Sequence, residues 1–280
     1  MKTVFGSLIA CLLCFLLSCS SSPTKPVPYP KSTQTVIAKA SQAGFSAHRY
    51  TTTPFVITAY ERLHSSQHTT IHAYIEGDGN SWKTKYRLSN NPTPKQPLAL
   101  RLAIKDPHPN VIYLARPCQY TPPDLNPACE GKYWSSHRYS EEVINSMNQT
   151  LNQIKEKAKN THFVLVGFSG GASVATLVAS RRQDIQSIIT VAGDLDHHAL
   201  TDHHGTTPLH GSLNPMHVTE QIKHIPQHHW AGKKDKIVPS WMPEHFVKKL
   251  NSPVAKAHVL KDATHHKGWE KHWHEILPHE

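Results

Sequence analysis

The sequence predicts an α/β protein: a mainly parallel sheet with helices on both faces. Two observations carry this. Short, wholly apolar runs such as Val111–Ala115 and Phe163–Val166 recur along the chain, as expected of strands buried on both faces. Helical patterns separate them, and strands alternating with helices form parallel sheets. A length of 280 residues suits one large domain of this class. The formal charge of +10 is spread along the chain and not gathered in a tail. It implies solubility and attraction to an anionic surface. No nucleic-acid motif is present, and no nucleic-acid partner is expected.

Taken in order, Met1–Ser18 has one charge, Lys2, before the apolar core Leu8–Leu17, which is too short to span a bilayer. It ends Leu16-Leu17-Ser18-Cys19, which resembles a bacterial lipobox. That resemblance implies cleavage before Cys19, lipid on its sulfur, and anchorage to a membrane of the bacterial cell envelope. Ser20, where aspartate would retain a lipoprotein at the inner membrane, points to the outer one by the same pattern. Residues 19–45 are expected as a tether, with Ser20–Lys31 rich in serine and proline. The domain is expected over 46–280.

Phe55–Arg62 and Thr69–Glu76 read as an antiparallel pair turning at Leu63–His68. Leu98–Ile104 is a short helix and Val111–Ala115 a buried strand. An irregular stretch then runs to Cys129. Ser140–Lys159 is a helix with Ser140 as N-cap, Glu141 and Glu142 in the first turn and lysines near its end. Its core face is Val143, Ile144, Met147, Leu151 and Ile154. Ser187–Val191, His228–Gly232 and Ala257–Leu260 are further strands. Pro243–Leu250 and Gly268–Leu277 are helices. Residues 195–225 are long, polar and histidine-rich, where such folds insert a cap.

Of five cysteines, Cys11 and Cys14 leave with the signal and Cys19 takes the lipid. Cys118 and Cys129 remain as one pair in an oxidising compartment and are expected to form a disulfide. Metal ligation by the two is the weaker reading, since no second cysteine pair remains once the signal is removed.

The chemistry centres on Thr161–Ser180, where an apolar strand runs into Gly167-Phe168-Ser169-Gly170-Gly171 and then an alanine-rich helix. Strand, G-x-S-x-G turn and helix together make a nucleophile elbow. Glycines let the turn be sharp, and the N–H of Gly170 at the helix start would face a developing oxyanion. The second oxyanion N–H would come from the Gly77-Asp78-Gly79 loop after the Thr69–Glu76 strand. A serine nucleophile needs a base, and the base an acid to orient it. On such sheets the order is Ser, Asp or Glu, then His. Asp235 follows one strand and His265 the last, so Ser169–Asp235–His265 agrees in order and spacing. Asp194 and Asp196 follow the preceding strand and are alternative acids.

At these segments the chain resembles the α/β-hydrolase superfamily and, more narrowly, is similar to a group of bacterial α/β-hydrolase lipoproteins. The segments are Tyr74–Gly79, Tyr113–Tyr120, Val166–Gly171, Thr190–Asp196, Gly232–Pro239 and Thr264–Trp269. The resemblance runs from Thr69 to Trp273. It implies Ser169 as nucleophile, Asp235 as acid, His265 as base, and oxyanion N–H groups from Gly170 and the Gly77–Gly79 loop. In the resembling lipoproteins the base precedes a tryptophan by four residues; Trp269 selects His265 over His266. The implied reaction is hydrolysis of an ester, thioester or amide through an acyl-enzyme, on a small-molecule or lipid-like acyl substrate, without cofactor.

A reading of another class rests on His197, His198, His203, His204, His210 and His217. Imidazoles in such number could make a metal- or partner-binding surface lipoprotein on the same scaffold. Adjacent histidines point apart, however, and there is no H-E-x-x-H, so no metal ligands are assigned.

Overall fold

A computed structural model describes residues 29, 31–64, 69–84, 86–158 and 162–277. The expected signal Met1–Ser18, Cys19, residues 20–28 and 30 of the tether and 65–68 of the expected turn lie outside the described residues.

The strands are β1 (Ser46–Thr51), β2 (Val56–Leu63), β3 (Thr70–Ile75), β4 (Trp82–Thr84), β5 (Arg87–Leu88), β6 (Asn110–Leu114), β7 (His162–Phe168), β8 (Ile185–Val191), β9 (Gln227–Gly232) and β10 (Ala255–Leu260). Eight form one sheet in the order β1-β2-β6-β3-β7-β8-β9-β10, and β4 and β5 make a separate hairpin. β2 runs antiparallel to both its neighbours, while from β6 to β10 every pairing is parallel.

Alternation along each strand sorts side chains into two cores. Ile71, Ala73 and Ile75 of β3 and Phe163 and Leu165 of β7 enter one core. Helices α3 (Glu141–Ala158), α4 (Gly170–Ala179), α6 (Thr219–Ile222) and α7 (Met242–Leu250) pack their apolar residues into it. Tyr74, Val164, Val166 and Phe168 enter the other, against α1 (Lys31–Gln42), α2 (Leu98–Lys105) and α8 (Trp273–Ile276). The expected class, a mainly parallel sheet between two helical layers, is the one observed.

Three expectations are corrected. β2 does not pair with β3. The wholly buried β6 occupies the slot between them, with Tyr113 in register with Tyr60 on one side and Tyr74 on the other. An apolar strand returning from α2 completes hydrogen bonds on both its edges there, which a β2–β3 hairpin would deny it. The tether does not reach residue 45. Lys31–Gln42 is helical, buries Thr33, Val36 and Ala40, and is tied down by Ser32 and Thr33 hydroxyls donating to the carbonyls of Lys95 and Pro94. The last helix is only Trp273–Ile276, because Gly268 turns at φ +95° and Trp269 is spent on the preceding loop.

The histidine-rich segment is built on the body of the protein. Helix α5 (His197–His204) starts on Asp196, whose carboxylate accepts the N–H groups of His198 and Ala199, and ends at left-handed Gly205. Leu195, Leu209, Ile222 and Ile225 of the segment are buried in the α3–α4 core. His197 is buried; His198, His203, His204, His210 and His217 are exposed. Among the described residues no three His, Cys, Asp or Glu side chains form a group that could hold a metal ion. Nor is any described helix long and apolar enough to cross a membrane.

Cys118 and Cys129 are joined by a disulfide across 11 residues of chain. A loop of that size is worth about 3 kcal/mol in the chain-entropy model. The double change Cys118→Ser, Cys129→Ser should lower stability in urea by about that amount. An unchanged midpoint and slope would show that the bridge adds nothing.

Candidate active site

The elbow is made by close approach of backbones. Ser169 sits at φ 53°, ψ −123°, a conformation that side chains other than glycine rarely adopt. Three backbone hydrogen bonds hold it: its N–H donates to Val191, and its carbonyl accepts the N–H groups of Ala172 and Asp194. The flanking glycines are needed for space. A Cβ at Gly171 would lie 2.3 Å from the Ile75 carbonyl oxygen, and one at Gly167 2.5 Å from Ala172 Cα. A Cβ at Gly170 would meet Asp78 Oδ1 at 2.1 Å. Helix α4 can therefore start directly on the sheet, with the Gly170 N–H beside Ser169.

The loops after β9 and β10 reach the same edge. His265 Nε2 is 3.0 Å from Ser169 Oγ, and His265 Nδ1 is 2.8 Å from Asp235 Oδ2. This pairing makes Nδ1 the protonated nitrogen and leaves the Nε2 lone pair to accept the serine proton. Asp235 is fixed in turn: its Oδ1 accepts the N–H groups of Ile237 at 2.7 Å and Val238 at 3.0 Å, and its side chain is fully buried. The Trp269 indole donates to the carbonyl of Thr264 at 2.9 Å and, more weakly, of His265 at 3.3 Å. That clamps the loop bearing the histidine. The Phe168 ring packs against His265. His266 is exposed at the rim, against the Phe168 ring, and makes no hydrogen bond to Ser169 Oγ. The structure thus brings Ser169, Asp235 and His265 into one relay.

Neither alternative acid joins it. Asp196 caps α5 and accepts from Asn214 and His245. Asp194 is buried, its Oδ2 accepting the Tyr139 hydroxyl at 3.0 Å. Burial pushes Asp194 up to about 7, with Arg138 opposing.

The oxyanion loop needs one correction. The N–H of Gly77 is not free for substrate, because it donates to Glu76 Oε1 at 3.0 Å. The amides of Asp78 and Gly79 carry no hydrogen bond among the described residues and remain as the loop's donors. Gly77 instead allows closeness: a Cβ there would stand 3.2 Å from Ser169 Cβ. Gly79 turns the loop at φ +69°, where a side chain would strike the Pro92 carbonyl.

Two arginines that sequence reading passed over complete the site. Asp78 accepts from Arg138, and its other oxygen lies 3.3 Å from Arg116 Nη1. Burial works against the Asp78 charge, but Arg138 and then Arg116 outweigh it and hold the carboxyl below the usual range. Two guanidinium groups against one carboxylate leave positive charge beside Ser169, which favours a developing oxyanion. Arg116 stands in the segment quoted for the family resemblance. Arg138, from a loop with no motif, had no local signal.

Ser169 opens on two compartments. The wider, about 530 Å³, is lined by His265, Phe168, Trp82, Pro94, Lys95 and Ile237. The narrower, about 170 Å³, lies against the α5 segment, with Arg138, Asp194, Leu200, Thr201 and Leu209 among its walls.

Glu76 yields a pH test of the loop. Its carboxyl is completely buried, and burial raises it from 4.5 to about 7 despite hydrogen bonds from Gly77 and Tyr113. A carboxyl raised in the folded state holds its proton more tightly there, so its contribution to stability falls as pH rises from about 4.5 to about 7. Glu76→Gln should therefore gain on the wild type by on the order of 2 kcal/mol between pH 5 and pH 8 in urea unfolding. The same difference at both pH values would show that Glu76 titrates normally.

A family model described as serine hydrolase (FSH1) matches residues 89–268. No curated protein sequence matches the chain. Solved structures do. Est1E from Butyrivibrio proteoclasticus is similar at 11% identity and TM-score 0.58, over 82% of this chain and 95% of that one. The Pyrococcus furiosus esterase Pf2001 is similar at 15% identity and TM-score 0.54, over 84% and 91%. An alpha-beta serine hydrolase homologue from Coxiella burnetii stands at 13% identity and TM-score 0.52, over 82% and 93%. At such identities the likeness is one of fold, the α/β-hydrolase fold. The family match spans well over half of the chain and takes in Ser169, Asp235, His265, Arg116 and Arg138, and by it the protein belongs to the serine hydrolase (FSH1) family.

Proposed function

We propose that the protein hydrolyses a carboxylic ester through an acyl-enzyme on Ser169. The observation that carries this reading is the relay from Ser169 Oγ through His265 to Asp235, at 3.0 and 2.8 Å. His265 Nε2 takes the serine proton as Oγ attacks the ester carbonyl. The oxyanion forms at the N–H groups of Gly170 and of the Asp78–Gly79 loop. His265 then gives its proton to the leaving alcohol. Water, activated by the same imidazole, frees the acid. Asp235 keeps the Nδ1 proton in place and stabilises the imidazolium. An ester of a small molecule or a lipid-like chain is favoured over a thioester or amide. The supports are the Pyrococcus furiosus esterase among the structural relatives and the apolar walls of the wide compartment, Trp82, Phe168 and Ile237.

A fluorophosphonate probe should label Ser169 of the folded, oxidised protein, and His265→Ala should abolish labelling while His266→Ala keeps it. Asp235→Asn should retain the fold and lose about 10⁴ in turnover, the loss known for the corresponding change in a serine protease. An unlabelled Ser169 would refute the enzyme reading. A collapse of activity in Asp194→Asn with Asp235→Asn still active would move the acid.

The anchor belongs to the same reading. Cys19 carries the lipid, and the protein sits on a membrane of a bacterial envelope, the outer one by the residue Ser20. Support comes from the Leu16–Cys19 pattern and the proline-rich stretch that follows it. A palmitate analogue fed to expressing cells should mark the wild type and not Cys19→Ala; equal labelling of the two would sink the idea.

A further inference from the structure

We propose that the narrow compartment is the acyl site and takes a short acyl group ending in a carboxylate, with Arg138 as the residue that pairs with it. The substrate class is then the half-ester of a dicarboxylic acid. This rests on the ester reading above.

The compartments are assigned by His265. The leaving oxygen must collect its proton from His265 Nε2, so the alcohol lies on the side that His265 lines. That is the wide compartment. His265 is absent from the walls of the narrow one, which Ser169 nevertheless shares. The acyl chain therefore enters the space between Ser169 and α5. About 150 Å³ of cavity accommodates a benzene ring, so this space, about 170 Å³, takes roughly six non-hydrogen atoms beyond the carbonyl. A long fatty-acyl chain would have to leave this space for solvent, so a lipid-like chain belongs on the alcohol side.

Charge decides what those atoms are. Arg138 lies between the two compartments and is the only lysine or arginine on the walls of the narrow one, whereas the wide one has Lys95 as well. Its guanidinium is oriented, Nε donating to the Ser135 carbonyl at 3.0 Å and Nη1 to Asp78. Nη2 has no hydrogen-bond partner among the described residues. Asp78 does not neutralise the pair around it, since Arg116 shares the same carboxylate. Asp194, the remaining acid on the wall, is buried with Oδ1 unpartnered and has its pKa raised by that burial. Protonated, it offers a donor to a bound anion. A fixed guanidinium with a spare N–H, one face of a small and otherwise partly apolar space, suits a carboxylate on three methylenes.

The test compares kcat/KM for monoethyl glutarate and ethyl 5-methylhexanoate, its uncharged isostere, by following acid release. The wild type should favour the glutarate ester at least tenfold. In Arg138→Gln the ratio should fall by at least tenfold, whatever happens to absolute rates. Leu200→Trp, which narrows the compartment and leaves the partners of Asp78 in place, should reduce both esters at least tenfold relative to ethyl acetate. It keeps the idea open to refutation if Arg138→Gln does not fold. A wild-type ratio of one or less overturns the proposal while the ester reading stands. So does a ratio that collapses in Lys95→Gln, which would put the anion in the wide compartment, the one that Lys95 lines. If ethyl acetate and both longer esters are left intact, the ester reading falls and this proposal with it.

Discussion

The backbone of Ser169 is the constraint on which the rest depends. A residue in this left-handed conformation costs about 1–3 kcal/mol and persists only where its surroundings over-determine it. Here three backbone hydrogen bonds do so, from β8, from the first turn of α4 and from Asp194. Those bonds form only because α4 lies against β3 and β7 at contact distance, and it lies there only because residues 167 and 171 carry no side chain. The small residues that follow, through Ala179, are all buried, so the whole helix sits low on the sheet. The elevation of Ser169 Oγ above the carboxyl edge is a consequence of packing along ten residues of helix.

Parallel strands make the remaining geometry inexpensive. β7, β8, β9 and β10 all end at the edge where Ser169 stands. Loops leaving β9 and β10 can bring Asp235 and His265 together without crossing the molecule. Each is then fixed by a local device, Asp235 by the two amides that follow it and His265 by the Trp269 indole. The relay is positioned before substrate arrives, which is the condition for electrostatic catalysis of this kind.

Much of this was legible because it is local. The elbow, the helix at 141–158, the pairing of Cys118 with Cys129 and the chain order of serine, acid and base are matters of short spacing or sequence order. What was not legible is non-local. Which strand fills the slot beside β3 depends on how α2 returns the chain, and a hairpin pattern between residues 55 and 76 carries no trace of it. Helix α1 was hidden because only Thr33, Val36 and Ala40 of its residues are buried. The oxyanion loop was found as a loop, but the assignment of its amides depends on the Glu76 side chain turning back on Gly77. Arg138 matters through Asp78, 60 residues away, and no pattern around it says so.

The histidines show how composition misleads when burial is unknown. In number they suggest metal or a charged surface. Yet His229 is buried between Thr190 and Gln227, and burial drives it down to about 3. His197 packs beside Tyr139 and is driven down to about 4, again by burial first and then by His198. Both are neutral aromatic side chains in the folded protein at neutral pH. The unfolded chain protonates them near 6.5, so their contribution to stability is lost as pH falls below that value. Glu76 and Asp194 act in the opposite sense, losing stability as pH rises toward about 7. Buried carboxyls and buried histidines therefore pull stability in opposite directions on the acidic side of neutrality, and three of these four groups, Glu76, Asp194 and His197, stand on the walls of the active site.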